Sequence, residues 1–301
     1  MPEQSRSVTF KNVSKVYAGG VKAVDGVSLE IVGGSFVALV GPSGSGKSTL
    51  LKTVNRLVEP SAGEVLIGDA SVAAEPPHLL RRRIGYVFQN IGLFPHMSVA
   101  QNVAIGLRLA GQRDTAARVA ELLELVELDA ALAERMPDAL SGGQRQRVGV
   151  ARALACSPGL LLMDEPFGAL DPVTRDGLGK AIRALHDRMG LTTILVTHDM
   201  AEALLLADRV LVMAAGRIVA DATPRDLLAG KAGAEADALV AVPREQAHRL
   251  AELGNPSILP GTGRGTAPAG RGGGGAPQRT RPAESPLHQP AAGPPPRPGE
   301  E

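Results

Sequence analysis

The sequence predicts an α/β protein built on a mostly parallel β-sheet that is covered by helices. Three short runs are almost continuously apolar, namely Ser35–Gly41, Gly159–Glu165 and Thr192–Asp199. Strands that are buried on both faces of a parallel sheet have this composition. Because segments of helical periodicity separate the runs, the pattern is that of βαβ units.

The helices around this sheet follow from local patterns. The stretch "KSTLLKTVNRL", which begins at Lys47, predicts a helix directly after the first strand, and another helix is expected between Leu170 and Arg188. From about Asn90 to Cys156 no strong strand pattern occurs, and residues 119–126 place apolar side chains at helical spacing. We interpret this region as a helical insertion into the α/β domain.

The C-terminal part begins with a predicted β-hairpin over Asp208–Pro224 that turns at Ala215–Gly216. A short helix from about Pro224 and a further helix over Asp237–Leu253 are expected to follow. Residues 256–301 then hold 10 glycines and 11 prolines. Because so few apolar side chains cannot offset the entropy of ordering, this segment is expected to be disordered.

The overall composition argues against several classes of protein. The chain has 301 residues, a net charge of +1 and a hydrophobic fraction of 44%, so its charge favours neither nucleic acid nor an acidic membrane surface. The single cysteine, Cys156, excludes an intramolecular disulfide and a cysteine-based metal cluster. The N-terminus has no apolar region of a signal peptide, and no apolar run approaches the roughly 18 residues that span a bilayer. We therefore expect a protein of the cytosol or of the cytosolic side of a membrane.

A glycine-rich stretch between the first strand and its helix has the pattern of a phosphate-binding loop. "GPSGSGKST" fits G-x-x-x-x-G-K-[ST], and in such a loop backbone N–H groups and the helix N-terminus point at phosphate oxygens. Lys47 supplies a positive charge for the β- and γ-phosphates, and the Ser48 hydroxyl is a ligand for Mg²⁺. The nucleotide-binding residues predicted here are Gly41, Pro42, Ser43, Gly44, Ser45, Gly46, Lys47, Ser48 and Thr49.

An acidic pair ends the second apolar run and supplies the groups that this loop lacks. Asp164 is predicted to hold Mg²⁺ directly or through water. Glu165 is predicted to accept a hydrogen bond from an attacking water molecule and to act as general base. The alternative for Glu165 is a cap on the helix that follows.

Two further polar residues are candidates for the same site. His198 ends the third apolar run, and at the carboxyl end of a parallel strand it is placed to contact the γ-phosphate. Gln89, in "GYVFQN", is placed to reach the metal or the attacking water from a loop. The alternative for each is an ordinary structural side chain.

The stretch "LSGGQ", Leu140–Gln144, is not explained by helix formation alone. Ser141 and Gln144 have the spacing of a capping box, which predicts a helix start. Gly142 and Gly143, however, each destabilise a helix by about 1 kcal/mol. The local pattern alone gives no role for these two glycines.

Taken together, these motifs resemble the ATP-binding subunits of ABC transporters over about residues 7–230. In that family "LSGGQ" is the signature motif, and the other motifs follow in family order. The resemblance implies a P-loop NTPase core with an N-terminal antiparallel β subdomain and an inserted α-helical subdomain. The implied organisation is an ATPase domain over residues 1–230 with the helical subdomain at about 90–157, a helical extension over 231–255 and the tail over 256–301.

The resemblance also implies a role for each site residue. ATP and Mg²⁺ are the implied ligands, and the two facing sites of a dimer each use both subunits. The phosphate-binding loop corresponds to the family's Walker A loop, Gly41–Ser48. The implied nucleotide contacts outside it are Tyr17 through adenine stacking, the signature residues Ser141, Gly142, Gly143 and Gln144, and Asp171 of the D-loop. The implied catalytic residues are Lys47, Gln89, Glu165 and His198, and the implied metal ligands are Ser48, Gln89 and Asp164.

Partners and location follow from the same resemblance. It implies a homodimer in which each signature motif meets the γ-phosphate held by the other copy, together with a separate membrane permease that contacts the loop after Gln89. A substrate-binding protein is implied indirectly, and nucleic acid is not expected. The implied location is the cytoplasmic face of the inner or plasma membrane.

The transported cargo is predicted from two stretches. Lys52–Val65 and Arg81–Ile105 are similar to subunits that energise import of osmoprotectants and quaternary amines such as glycine betaine and choline. Amino-acid importers have similar stretches, so a polar amino-acid importer is an alternative. Non-transport ABC ATPases of DNA repair or translation are a further alternative, although their coiled coils, zinc modules or second ATPase core have no match here. A kinase or GTPase is disfavoured by the intact "LSGGQ" and the lack of a guanine-reading N-K-x-D.

Overall fold

A computed structural model describes residues 6–168 and 170–253 of the chain. The tail that the sequence predicts to be disordered, residues 256–301, lies outside these ranges. In the described residues the strands are β1 (Val8–Val16), β2 (Lys22–Ile31), β3 (Phe36–Val40), β4 (Ala62–Ile67), β5 (Ala70–Ser71), β6 (Ile84–Val87), β7 (Leu160–Asp164), β8 (Thr192–Val196), β9 (Arg209–Ala214) and β10 (Arg217–Ala222). The α-helices are α1 (Lys47–Val54), α2 (Pro77–Arg82), α3 (Val99–Leu109), α4 (Ala116–Leu125), α5 (Gly142–Leu154), α6 (Pro172–Met189), α7 (Met200–Leu206), α8 (Pro224–Leu228) and α9 (Ala234–Leu253).

The central sheet has six strands in the order β10-β9-β3-β8-β7-β6. Four of its five pairings are parallel, and the hairpin β9–β10 forms the antiparallel edge. Every residue of β3, β7 and β8 is buried. The predicted α/β class is thereby confirmed, because these strands are covered on both faces as their continuous apolar runs indicate.

The N-terminal part forms a separate four-stranded sheet in the order β2-β1-β4-β5. All three of its pairings are antiparallel. The antiparallel β subdomain that the resemblance implies is thus present. It covers one face of the central sheet together with α1.

The two faces of the central sheet belong to two different hydrophobic cores. Successive side chains of a strand point to opposite faces, and β3 shows this directly. Phe36, Ala38 and Val40 join the core that includes the helices after β6, whereas Val37 and Leu39 join the core under the antiparallel sheet.

The predicted helical insertion is confirmed for the described chain between β6 and β7. It contains α3, α4 and α5, with short 3₁₀ turns between α4 and α5. Both α3 and α5 begin with a capping box, formed by Ser98 and Gln101 in α3 and by Ser141 and Gln144 in α5. The reciprocal bonds satisfy N–H groups that a helix start leaves without partners.

Two predicted boundaries are wrong by a few residues. Helix α1 ends at Val54 rather than Leu57, because Asn55 Oδ1 accepts the Leu57 N–H at 3.1 Å and Arg56 adopts a φ of 55°. Strand β8 ends at Val196 rather than Asp199, since Asp199 caps α7. His198 therefore lies in a loop just past the strand.

The C-terminal elements are found where the sequence predicts them. The hairpin turns at Ala215 and Gly216, whose φ values of 46° and 82° suit a two-residue turn between antiparallel strands. Helix α8 follows at Pro224, and α9 covers the predicted helix over Asp237–Leu253. Among the helices described, none has the length and apolarity to cross a lipid bilayer.

Candidate functional site

The candidate site lies where parallel strands of the central sheet end. The phosphate-loop motif follows β3, Gln89 follows β6, Glu165 follows β7 and His198 follows β8. Parallel strands present their carboxyl ends at one edge, which is where ligands bind in open α/β sheets. The fold thus brings together residues that lie far apart in the sequence.

The loop between β3 and α1 depends on glycine at two points. Gly41 and Gly46 have φ values of 147° and 103°, in the region that L side chains rarely adopt. A Cβ at Gly41 would collide with the backbone carbonyl of Met213, and one at Gly46 with that of Ala23. The loop is therefore packed against β9 and β2 through bare backbone.

This loop leaves polar groups without protein partners. Ser45 is 3% exposed, and its Oγ has no hydrogen-bond partner. No acceptor in the described chain meets the backbone N–H groups of Gly44, Gly46, Lys47 and Ser48. Buried polar groups are normally paired, so these donors suit an anionic ligand at the N-terminus of α1.

Lys47 is folded back over the same loop. Its Nζ donates to the carbonyl oxygens of Gly41 and Pro42, each at 2.9 Å, and the residue is 5% exposed. Burial lowers the pKa of the Lys47 ammonium, against the opposing effect of the Glu165 and Asp164 carboxylates. A phosphate would offer this buried cation a stronger partner than two carbonyl groups.

Asp164 is the most buried acidic group of the site, at 1% exposure. Ser48 Oγ donates to its Oδ1 at 2.6 Å, and the Lys52 Nζ lies 2.9 Å from its Oδ2. The Tyr86 hydroxyl also donates to Oδ2, at 3.3 Å. Burial, followed by the Asp164 charge, raises the pKa of that hydroxyl.

Lys52 and Tyr86 are site residues that the sequence analysis missed. The position of each residue gives an indication that it belongs to the site. Lys52 stands four residues after Ser48, on the same face of α1. Tyr86 lies on β6, which pairs with β7. Neither signal is informative until the strand order is known. Both residues hold the carboxylate of Asp164 in place.

The next residue, Glu165, joins Gln89 and His198. Gln89 Nε2 donates to Glu165 Oε2 at 3.2 Å, and His198 Nδ1 lies 3.3 Å from the same oxygen. Glu165 has a φ of 48°, an uncommon value for a residue with a side chain. Its N–H donates to the Val196 carbonyl of the neighbouring strand at 2.9 Å, so the turn is fixed to the sheet.

A polar network supports the loop that carries His198. Arg175 on α6 contacts Asp199 Oδ2 at 3.3 Å and Glu202 Oε1 at 3.6 Å, and it donates to the Leu170 carbonyl at 3.1 Å. Burial raises the pKa of the Glu202 carboxyl, while its bond from Thr197 acts in the opposite direction. The network ties the loop after β8 to the segment before α6.

The signature residues are held at the start of α5. The Ser141–Gln144 capping box starts α5, and a Cβ on Gly143 would lie 2.6 Å from Thr174 Cγ2 at the start of α6. Asp171 caps α6, and its hydrogen bonds with Thr174 lower the pKa of the Asp171 carboxyl. In the described residues, none of the hydrogen bonds of Ser141–Gln144 reaches the Gly41–Thr49 loop.

Tyr17 lies at the edge of the phosphate loop. Its hydroxyl is 3.4 Å from Thr49 Oγ1, and the side chain is 41% exposed. The Lys15 ammonium lies 5.3 Å from the centre of the ring. An exposed aromatic ring beside a phosphate cradle is suited to stack on a base.

The oxygen ligands of the site suit Mg²⁺. Ser48 Oγ and the Asp164 carboxylate are 2.6 Å apart at their nearest oxygens. No cluster of three His, Cys, Asp or Glu side chains able to hold a metal occurs in the described ranges. Mg²⁺ does not need one, because it is usually bound through one or two protein oxygens, substrate phosphates and water.

The sequence of the chain is similar to those of known proteins. The family model described as ABC transporter matches residues 24–168. The choline transport ATP-binding protein OpuBA of Bacillus subtilis is 50% identical over 223 residues, which are 73% of this chain and 58% of that protein. The glycine betaine uptake system ATP-binding protein YehX of Escherichia coli is 50% identical over 225 residues, covering 73% and 72% respectively. The chain therefore spans less than two thirds of OpuBA and more than two thirds of YehX.

A solved structure is similar as well. It is the dimeric structure of a post-hydrolysis state of the ATP-binding cassette MJ0796 bound to ADP and Pi. The TM-score is 0.67 at 35% sequence identity, and the match covers 72% of this chain and 99% of that one. The shared fold thus extends over nearly the whole of a known ATP-binding cassette.

Proposed function

The chain belongs to the ABC transporter family, and on that premise we propose that it is the ATP-hydrolysing subunit of an importer. The observation that carries the proposal is the contact of Ser48 with Asp164 at 2.6 Å. It joins the phosphate loop to the strand-end carboxylate, which are the two halves of a magnesium–nucleotide site. The proposed ATPase domain covers residues 1–230, with a helical subdomain at about 90–157 and a helical extension at 231–255; the proposed disordered tail, 256–301, lies beyond the described residues.

ATP is the proposed substrate and Mg²⁺ the proposed cofactor. The phosphates would lie on the free N–H groups of the Gly41–Thr49 loop and beside Lys47, and adenine on the exposed ring of Tyr17. Ser48, Asp164 and Gln89 would hold the metal, which neutralises phosphate charge when it is bound. The orphaned Ser45 hydroxyl and the glycine-dependent shape of the loop support this assignment.

Glu165 is the proposed general base. Gln89 and His198 both contact its Oε2, so the carboxylate is oriented from two sides at the edge where the γ-phosphate would lie. In this arrangement Glu165 takes the proton of the attacking water, Gln89 orients that water, and Lys47 and His198 contact the γ-phosphate.

A second copy of the chain is the proposed partner that completes each site. Ser141, Gly142, Gly143, Gln144 and the D-loop residue Asp171 have no described contact with the phosphate loop of their own chain. The similar cassette MJ0796 is dimeric. In a head-to-tail dimer these residues would meet the nucleotide held by the other copy.

The proposed membrane partner is a separate permease at the cytoplasmic face of the inner or plasma membrane. A groove of about 430 Å³ lies beside β6, and its lining includes Leu57, Arg82, Phe88 and Leu109. Phe88 and Leu109 are 43% and 64% exposed, so the groove offers apolar surface for a helix of the permease. A substrate-binding protein would act on the other side of the membrane.

The proposed cargo is an osmoprotectant or quaternary amine such as glycine betaine or choline. The names of OpuBA and YehX, choline transport and glycine betaine uptake, support this class. Cargo is read by the binding protein, so the test is to measure binding of glycine betaine, choline and polar amino acids by the binding protein encoded with this chain. Binding of amino acids alone would reject the osmoprotectant assignment in favour of a polar amino-acid importer.

ATP hydrolysis itself is tested with the purified chain. Phosphate release from Mg²⁺-ATP is expected for the wild type, and it should disappear after chelation of the metal or with Lys47→Ala. Release that persists in both cases would exclude this site as the source of the activity and would leave a non-hydrolytic role.

A further inference from the structure

The turn that follows Gln89 has a strained backbone. Ile91 has a φ of 35°, and a positive φ in a β-branched residue is a genuine outlier. The Gly92 N–H donates to the Asn90 carbonyl across this residue, as in a γ-turn, whose positive-φ form is rare and strained. Such strain persists only where the surroundings impose it, and it is concentrated at functional sites.

Arg152 is hydrogen-bonded to this turn. Its two terminal nitrogens donate to the carbonyl oxygens of Ile91 and Gly92, each at 2.7 Å. No carboxylate pairs with Arg152 within the described residues. The guanidinium is instead bound by the two backbone carbonyl oxygens. Burial lowers the pKa of the Arg152 guanidinium, as expected for a cation held by neutral groups.

Gly149 provides the space for the same turn. A Cβ at Gly149 would lie 3.2 Å from Ile91 Cγ2, which is tighter than ordinary contacts. Gly149 and Arg152 are three residues apart on α5 and so lie on the same face of the helix. One side of α5 therefore receives the Ile91 side chain and also holds its carbonyl.

We propose that Arg152 is a positioning residue whose guanidinium latches the strained turn at Ile91 and thereby holds Gln89 against Glu165. Gln89 lies two residues before Ile91, and its Nε2 donates to Glu165 Oε2 at 3.2 Å. The inference rests on the proposed function, since it assigns Gln89 and Glu165 to hydrolysis. The latch itself is a property of the nucleotide-free chain and is measurable without turnover.

The first experiment is hydrogen–deuterium exchange of the nucleotide-free protein, followed by turnover. Arg152→Met removes the donors and keeps an unbranched apolar chain. We expect the amides of residues 90–93 to exchange about tenfold faster or more, and kcat to fall about ten- to a hundredfold with little change in ATP affinity, because a small misplacement of a positioned group has effects of this size. Unchanged exchange at residues 90–93 would overturn the latch.

Arg118→Met is the matched control. Arg118 also uses its guanidinium to hold backbone carbonyls, those of Leu154 and Ala155 at the end of the same helix, but it has no described hydrogen bond to the turn. Exchange at residues 90–93 should remain at the wild-type rate in this variant. If Arg118→Met accelerates exchange there as much as Arg152→Met does, the effect is a general loosening of α5 and the proposal is wrong.

A double-mutant cycle tests the role of the strain. Asparagine adopts positive φ more readily than a β-branched residue, so Ile91→Asn should make the turn less dependent on its latch. We expect the effect of Arg152→Met on exchange to be at least several-fold smaller in the Ile91→Asn background than in the wild type. Equal effects in both backgrounds would show that Arg152 does not act through the strained residue.

Two further outcomes keep the test decisive. If Arg152→Met does not fold, Arg152→Gln replaces it, because a single uncharged amide nitrogen cannot reproduce the two guanidinium nitrogens that bind the turn. Faster exchange at residues 90–93 than in the wild type supports the latch, and exchange at the wild-type rate overturns it. If Glu165→Gln hydrolyses ATP normally, the proposed function fails, whereas the exchange data still decide the latch.

Discussion

Gln89 and Glu165 are 76 residues apart in the chain, yet Gln89 Nε2 donates to Glu165 Oε2 at 3.2 Å. His198 Nδ1 approaches the same oxygen to 3.3 Å. Each residue follows a different parallel strand, and the sheet order β8-β7-β6 brings the three strand ends side by side. The carboxylate is thereby fixed before any nucleotide binds.

The role of Glu165 predicts a separation of binding from turnover. In Glu165→Gln the amide keeps the shape of the side chain but cannot accept the proton of water, so kcat should fall by about a hundredfold or more. The dissociation constant for ATP should change little, and a closed dimer should accumulate in ATP. Phosphate release, nucleotide binding and light scattering measure the three effects, and wild-type turnover would remove Glu165 from catalysis.

No described hydrogen bond joins the signature motif to the phosphate loop of its own chain, and the proposed dimer therefore predicts complementation between subunits. Ser141→Arg and Lys47→Ala should each be inactive alone. When the two are mixed, about a quarter of the wild-type activity should return, because half of the randomly formed dimers contain one site free of both lesions. The measurement is phosphate release after co-refolding or co-expression, and a mixture without activity would contradict sites shared between copies.

The contact of Lys52 with Asp164 predicts that replacing Lys52 destabilises the protein and that Mg²⁺-ATP partly reverses the effect. Lys52→Met leaves the buried carboxylate with only the Ser48 and Tyr86 hydroxyls, and we expect the free energy of unfolding to fall by about 1–3 kcal/mol. Mg²⁺-ATP should restore part of it, since binding stabilises the folded state. The measurement is urea unfolding followed by circular dichroism.

Lys180→Met is the control for Lys52→Met. Its partner Asp176 lies one turn away on α6, and the side chains are 75% and 58% exposed. Such an exposed pair contributes about 0.5 kcal/mol or less. If the two variants lose the same stability, the Asp164 contact has no special role in the unliganded fold.

The burial of His186 predicts how the stability of the fold changes with pH. The residue is 3% exposed, its ring lies 5.1 Å from that of Phe36, and its Nδ1 lies 2.9 Å from Thr193 Oγ1. Burial lowers the pKa of His186, Arg183 lowers it further, and Asp187 and Asp208 oppose the shift. The unfolded chain therefore binds a proton at a higher pH than the folded one.

The contribution of His186 to the free energy of unfolding is therefore fully present above a pH of about 6.5 and is lost as the pH falls below that value. The free energy of unfolding changes by at most about 1.4 kcal/mol per pH unit for this one proton. Urea titrations between about pH 7 and pH 5 measure it. His186→Gln should flatten this dependence, whereas His96→Gln, at an exposed position, should leave it unchanged. A dependence that survives in His186→Gln must come from other groups.

The motifs were readable from the sequence because each is local. The glycines of the phosphate loop, the carboxylates after an apolar strand and the Ser141–Gln144 capping box are set by a few neighbouring residues. The structure has the loop, the end of β7 at Asp164 and the cap as predicted. Such motifs can be read locally because backbone sterics and strand burial depend on residues close together in the sequence. The α/β class followed for the same reason.

The tertiary structure alone decided which distant groups touch. Lys52 and Tyr86 became partners of the Asp164 carboxylate only through the pairing of β6 with β7 and the placement of α1. The bonds from Arg152 to Ile91 and Gly92 join a helix to a loop that lies 61 and 60 residues earlier. Nothing in the local pattern specifies such contacts, because strand order and helix packing are set by burial over the whole chain.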